Sequence, residues 1–288
     1  MTEKTTQEKL AAMGYSMQEA KEYILWYAAN PHLIAEKSAQ VGLNIADLAQ
    51  IVNLSTNDVA DYFATASLDV NEINAQKTNL SLVSDLNSGD VYLYDPITAK
   101  GQKAFSFDTQ ITDIATAYNG DIYATSFNAL YRYDFGNKTV EKVSSVEYGT
   151  NSLTVYGSKF ITASNIDSVV RFLDANGHQE AAYQLPGGSA GGDVIVEGNY
   201  LYRTTGQGIV RTDMTTGDTN VEVGEVGAKY HGLAEATWGW IVGYANDGEV
   251  KAYNPTTKDV MNLPTLSLTG VSPSGATEAL QMHADAWA

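Results

Sequence analysis

Five segments of this chain share one pattern at a near-constant interval. They are YLYDP (92–96), YRYDF (131–135), RFLDA (171–175), VRTDM (210–214) and KAYNP (251–255). Their marker residues Asp95, Asp134, Asp174, Asp213 and Asn254 are spaced 39, 40, 39 and 41 apart. A repeat that steady must correspond to one structural unit used again and again. A unit of about 40 residues built from short alternating strands and turns, with no helical pattern inside it, is a four-stranded sheet. The marker Asp or Asn opens a tight turn such as DFGNKT, DANGHQ or DMTTGDT, where its side chain can accept backbone N–H groups two residues on. Gly136, Gly177 and Gly217 are expected to supply the positive φ of these hairpins.

Within each unit a small-residue strand comes first: ITDIATAY, NSLTVYG, GGDVIVEG, HGLAEAT. A second strand follows: DIYATS, KFITAS, YLYRTT, WIVGYA. Then come a polar loop, the marked strand and the turn. Four complete units start near Ile111, Asn151, Gly191 and His231. A fifth begins at about Gly270 and runs out, and its missing strands stand at the front, in NLSLVSD (79–85), DVYLYDP (90–96) and QKAFSF (102–107). SGATEAL (274–280) is then expected to be the innermost strand of that first sheet, which closes a ring and removes an exposed edge.

This pattern resembles the β-propeller repeat proteins, of the quinoprotein-like and WD-type kind, over about residues 79–280. The fold class expected is mainly β: a five-bladed β-propeller closed by N- and C-terminal strands, preceded by a small all-α domain. There are no regular Trp-Asp dipeptides and no double-glycine Kelch signatures, so the resemblance implies a shape and leaves the activity open.

Residues 1–66 read as a helical module, 67–78 as a linker and 79–288 as the propeller. Ser16-Met-Gln-Glu19 forms a capping box ahead of a helix. Asn30-Pro31 is expected to open a second helix, NIADLAQIV (44–52) a third, and Ser55–Asp58 a fourth through VADYFATA. The segment from Gly42 to Phe63 resembles a helix-turn-helix, but its second helix carries Asp58 and Asp61 and no cation to meet phosphates. Short helical modules of this kind occur beside repeat domains in bacterial surface and secreted proteins. An assembly or attachment role follows, with a homo-oligomer through the module as one form of it.

The formal net charge is −17, from 34 acidic and 17 basic residues. A chain this acidic repels phosphate backbones, so nucleic acid is excluded as a partner of the whole. No apolar run approaches the roughly 18 residues that a spanning helix requires, and no membrane insertion is expected. The absence of cysteine rules out disulfides and thiolate chemistry. No signal-peptide pattern is legible at the N-terminus. High acidity, few lysines and no cysteine resemble exported bacterial proteins, so an extracellular location reached without an N-terminal signal is expected, with the cytoplasm as the alternative.

A propeller brings its inner strands and the loops entering them to one axis. The polar groups expected there are Asp113, Asn151, Asp193, His231, Glu235 and Glu278. Paired carboxylates can act on glycosides, and five-bladed propellers include glycosidases, which makes a glycan-active enzyme the competing reading. The blades carry no long inserted loops to build a cleft, so a non-enzymatic binding protein is preferred. Its candidate ligand-binding residues are Asp113, Tyr148, Asn151, Asp193, Tyr230, His231 and Glu235. The partner is expected to be a protein or a glycan, with Trp238 and Trp240 beside His231 as a candidate sugar platform. The four histidines stand far apart, and no metal site or cofactor is implied, calcium at the carboxylates being the alternative.

Overall fold

The computed structural model describes residues 5–12, 14–26, 34–35, 37–38, 43–54, 59, 77–117, 120–156, 159–186, 188, 190–197, 200–223, 230–236, 240–280 and 283. The chain divides into two compact units, Met1–Gln76 and Lys77–Ala288.

The larger unit holds five four-stranded antiparallel sheets. Blade one comprises β1 (Lys77–Asp85), β2 (Asp90–Asp95), β3 (Lys100–Ser106) and, on the far side of β1, β20 (Pro273–Leu280). Blade two is β4 (Asp113–Thr116), β5 (Ile122–Ser126), β6 (Ala129–Asp134) and β7 (Thr139–Ser145). Blade three is β8 (Thr150–Tyr156), β9 (Lys159–Ser164), β10 (Val169–Leu173) and β11 (Gln179–Gln184). Blade four is β12 (Ala190–Glu197), β13 (Tyr200–Thr205), β14 (Gly208–Asp213) and β15 (Thr219–Val223). Blade five is β16 (Tyr230–Ala236), β17 (Trp240–Ala245), β18 (Val250–Tyr253) and β19 (Val260–Leu263). The inner strands form a closed cycle: β20 touches β4, β4 touches β8, β8 touches β12, β12 touches β16, and β16 returns to β20. The fold is therefore a five-bladed β-propeller. No described helix is long and apolar enough to cross a membrane.

The period-2 pattern of the strands explains the packing. Alternate residues point to opposite faces, and each face meets the neighbouring blade. On β1, Leu82 packs toward Ile114 and Ile122 of blade two, while Val83 packs toward Ala234, Val242 and Tyr244 of blade five. The other junctions repeat the scheme with Ala115 and Leu130 against Leu153 and Phe160, Ile161 and Val170 against Val194 and Leu201, and Tyr202 against Leu233 and Ile241. Phe105 stacks on Tyr133 across the first junction at 3.9 Å between ring centroids.

The marker residues cap their hairpins as expected. Asp95 Oδ1 accepts the Ile97 N–H at 2.9 Å, Asp134 that of Asn137 at 2.8 Å, and Asp174 that of Asn176 at 2.9 Å. Asp213 does the same for Thr215 at 2.8 Å, and Asn254 for Thr256 at 2.8 Å. The positive φ is distributed differently from the expectation. Gly177 and Gly217 adopt it, but in blade two it falls on Lys138 (φ 56°) and not on Gly136; Ala99 and Lys258 hold the equivalent place in blades one and five. The turn is thus fixed by the capping carboxyl and the closing ladder, which force αL on whatever residue stands fourth after the marker in these three blades.

Ring closure follows the expected exchange of strands. Leu82 pairs with Thr277 and Ser84 with Gly275 in an antiparallel ladder. The Thr78 hydroxyl donates to the Ala279 carbonyl at 2.7 Å, so pairing begins inside the segment expected to be linker. Beyond β20, His283 is fully buried. Its Nδ1 accepts the Leu280 N–H at 3.1 Å, which leaves Nε2 to donate to the Gly120 carbonyl of blade two at 2.9 Å. The closing strand is thereby latched to the next blade.

In the smaller unit, α1 (Thr6–Ala12), α2 (Met17–Trp26) and α3 (Ile45–Val52) are described. The Ser16–Glu19 capping box is present, with Ser16 N–H to Glu19 Oε2 at 2.8 Å. Asn44 and Asp47 form a second box at the start of α3, and Asn53 ends that helix in αL. Helix α1 was not expected, although Thr5 and Glu8 at its start form a reciprocal pair of the same kind. Asn30 and Pro31 lie outside the described residues, but Ile34, Ala35, Lys37 and Ser38 of the helix expected to follow them are helical, and the Ser38 hydroxyl donates to the Ile34 carbonyl at 2.5 Å. Of the helix expected from Ser55–Asp58, with Asp58 and Asp61, only Val59 is described.

Burial lowers the His283 pKa to about 4 from its ordinary 6.5, with the Gly120 contact opposing in part. A base whose folded pKa is depressed contributes stability that is complete above the unfolded value and is lost as pH falls from there through the folded pKa. We expect wild-type stability to fall from pH 6.5 toward 4 relative to His283→Gln, which keeps one acceptor and one donor but cannot titrate. The difference should grow to roughly 3 kcal/mol at most over that window. Parallel denaturation curves for the two proteins would contradict the latch.

Candidate functional site

The strand register places Ile114, Leu153, Val194, Leu233 and Ala276 on one rung of the five inner strands, with Asp113 and Asp193 each one residue before it. The rung is very narrow. A Cβ built on Gly232 would lie 2.7 Å from the Ala276 nitrogen, and one on Gly275 would lie 2.1 Å from Asp113 Oδ1, so only glycine permits the approach. Asp113 and Asp193, beside the rung, are both fully buried. Asp113 accepts the N–H of Ile114 at 2.8 Å and, across the junction, that of Leu153 in blade three at 2.6 Å. Asp193 accepts the N–H of Val194, of Leu233 in blade five and of Ala276 in blade one. The two side chains also bond to each other. Two aspartates therefore connect all five blades at the axis.

Two carboxylates in contact and out of water cannot both be ionised at neutral pH. Burial, and then the neighbouring Asp193, raises Asp113 well above the ordinary carboxylate range. Burial raises Asp193 as well, opposed by the donors around it. Asp193 has more donors, so it holds the charge and Asp113 holds the proton between them.

The other expected axis groups lie on either side of this rung. Asn151 and His231 occupy matching bulges near the start of β8 and β16, where the pairing slips between Thr150 and Ser152 and between Tyr230 and Gly232. Asn151 is 7% exposed, and its Oδ1 has no partner among the described residues. His231 is half-buried, and burial lowers its pKa. Glu235 and Glu278 are half-buried toward the other ends of β16 and β20, where the Thr277 hydroxyl donates to Glu278 at 3.1 Å. Tyr230 is not the exposed loop residue expected. It opens β16, its ring is sealed in the junction between blades four and five, and its hydroxyl donates to Glu249. Trp240 is half-buried, and Trp238, the other half of the expected sugar platform, lies outside the described residues. Among the described residues no group of three or more His, Asp or Glu could hold a metal ion.

Tyr148 is 71% exposed and belongs to a feature that the sequence did not reveal. On the face where loops enter the inner strands, the Gly149 N–H donates to the Phe127 carbonyl at 2.8 Å. The Ile166 side chain lies against Gly149, so close that a Cβ there would sit 2.3 Å from Ile166 Cδ1. Phe127 is 43% exposed and Ile166 65%. Three large apolar side chains from three separate loops are thus gathered in water over the junction of blades two and three. Arg203 on β13 was also not anticipated. It is fully buried and donates to the carbonyls of Pro186 and Gly188, pinning the glycine-rich turn before β12. Burial lowers its pKa to about 10.

No protein-family model matches the chain, and no curated protein matches it. Among solved structures, a chain of the crystal structure of a nidogen/laminin complex is similar, with 11% identity over 71% of this chain and 85% of that chain and a TM-score of 0.48. The propeller assignment rests on the strand order and ring closure described above.

The axis predicts an asymmetry between two otherwise equal substitutions. Asp113→Asn keeps a donor toward Asp193 and loses no charge, but its amide N–H₂ meets one backbone donor, so it should cost roughly 2 kcal/mol. Asp193→Asn places an amide N–H₂ among backbone donors and should cost about 3 kcal/mol or more. Equal losses in denaturant unfolding would contradict the assignment of proton and charge.

Proposed function

We propose that this chain is a non-enzymatic binding protein whose propeller recognises a partner protein through the face of loops entering the inner strands. The observation that carries the reading is the exposed cluster of Phe127, Tyr148 and Ile166. Other exposed large apolar residues of the blades, Ile97, Val140, Tyr183 and Val260, stand on four different blades, whereas these three come together from adjoining loops, and grouped exposure of this kind marks interaction surfaces. The opposite rim carries Asp-capped hairpins that diverge from one another and whose capping groups are already bonded.

A glycan partner is the second reading, favoured by the exposed Tyr148 ring beside the exposed amides of Asn128 and Asn165. Glycoside hydrolysis has less support: Asp113 and Asp193 are sealed from solvent and bonded to backbone, whereas a hydrolase needs two carboxyl groups at its substrate. The same proposal gives the helical module a role in assembly or attachment and places the protein outside the cell.

The test compares co-purifying proteins of three forms: wild type, Phe127→Ser/Tyr148→Ser/Ile166→Ser, and the hairpin variant Asp213→Ala. Partners lost with the loop variant and kept with the hairpin variant are expected. The reverse would place the functional face on the other side. Release of reducing sugar from an oligosaccharide panel by the wild type, lost in Glu235→Gln or Glu278→Gln, would overturn the non-enzymatic reading.

A further inference from the structure

The apolar cluster has a setting that restricts what can cover it. The loops of this face expose, wholly or in part, the carboxylates Asp108, Glu147, Asp167, Asp247 and Glu249, with Asp85 buried and bonded to Ser88 and Ser272. Among the described residues, the cations reaching the same loops are already held by carboxylates: Arg171 by Asp167 at 3.0 Å, Lys251 by Glu249 at 3.0 Å and Lys103 by Asp90 at 2.8 Å. Lys142, on the neighbouring outer strand, turns its ammonium to the Ser145 hydroxyl at 3.3 Å. Arg203 is buried beneath its turn. The face is thus negative around an apolar centre, in a chain whose formal charge is −17.

We infer that the cluster of Phe127, Tyr148 and Ile166 is the docking site for a cationic polypeptide segment that carries apolar or aromatic anchors flanked by Lys or Arg. The inference rests on the binding function proposed above and names the partner's chemistry. Phe127, Tyr148 and Ile166 give the anchors a surface to cover, and burying large side chains there supplies affinity. The carboxylates around the ring attract the flanking cations, which favours encounter and register. A second copy of this chain would bring the same carboxylates against one another. An anionic lipid surface or a nucleic acid would meet the same repulsion. The unpartnered Oδ1 of Asn151, two residues from Gly149, is an acceptor near the cluster that suits an N–H donor better than an anion.

The test is selection of a random dodecapeptide library on the intact protein, with binding then measured on Phe127→Ser/Tyr148→Ser/Ile166→Ser and on Glu147→Gln/Asp247→Asn. The selected peptides should combine aromatic or aliphatic residues with a net positive charge. They should lose at least tenfold in affinity on the apolar variant and several-fold on the charge variant, and weaken as salt is raised. Matching melting curves show that the variants are folded. Cluster-dependent peptides that are neutral or acidic overturn the inference and leave the binding function standing. Peptides that ignore the cluster, or failure to recover any, overturn it as well. Peptides lost on Asp213→Ala but not on the loop variants overturn the proposed face together with it.

Discussion

A closed ring of five sheets brings five inner strands so near one axis that backbone nitrogens point into a space too small for bulk water. Those N–H groups need acceptors, because an unpaired buried amide costs as much as a lost hydrogen bond. Asp113 and Asp193 provide them. Between them they accept from blades three, five and one, from their own strands, and join blade two to blade four. The rung beside them is Ile114, Leu153, Val194, Leu233 and Ala276, whose backbones donate while their side chains fill the junctions. One shared proton lets the two acids stand together without a counter-ion. Gly232 and Gly275 make room for the approach.

This arrangement separates two tasks in space. The axis holds the ring, with its acids committed to backbone, and the closing strand is latched to blade two through His283. In the proposed function recognition falls to the surface, where Tyr148, Phe127 and Ile166 extend from loops of the ring. The proposed face can change these side chains without disturbing closure, since none of the three contributes to the clusters between blades.

The sequence made the architecture legible because the structural signal is periodic. An Asp every 40 residues caps a hairpin, and the five hairpins set the blade count. The missing strand of blade one could be found at the far end of the chain because an open sheet edge demands a partner. The site was harder to read. Asp113 and Asp193 were correctly placed at the axis, but residue type alone does not tell a carboxyl facing water from one enclosed by amides. Tyr230 looked like a loop residue because the preceding VGAK gives no strand signal, yet β16 starts on it. Phe127, Tyr148 and Ile166 come from loops 39 residues or fewer apart, and each is an ordinary single apolar residue until the hydrogen bond from Gly149 to Phe127 brings the loops together. Gly136 illustrates the same limit in the turns: composition suggested which residue takes positive φ, and the ladder assigned it to Lys138.

The shared proton is the most direct point of test. Carboxyl carbon resonances of protein labelled at aspartate can be followed by NMR from acid to neutral pH and assigned with Asp113→Asn and Asp193→Asn. The account predicts one axial carboxyl that stays protonated far above the ordinary aspartate range, and a change in its partner's titration when either is replaced. Two axial aspartates that titrate independently near pH 4, as exposed ones do, would show that the axis is open to water and that the ring is held by something else.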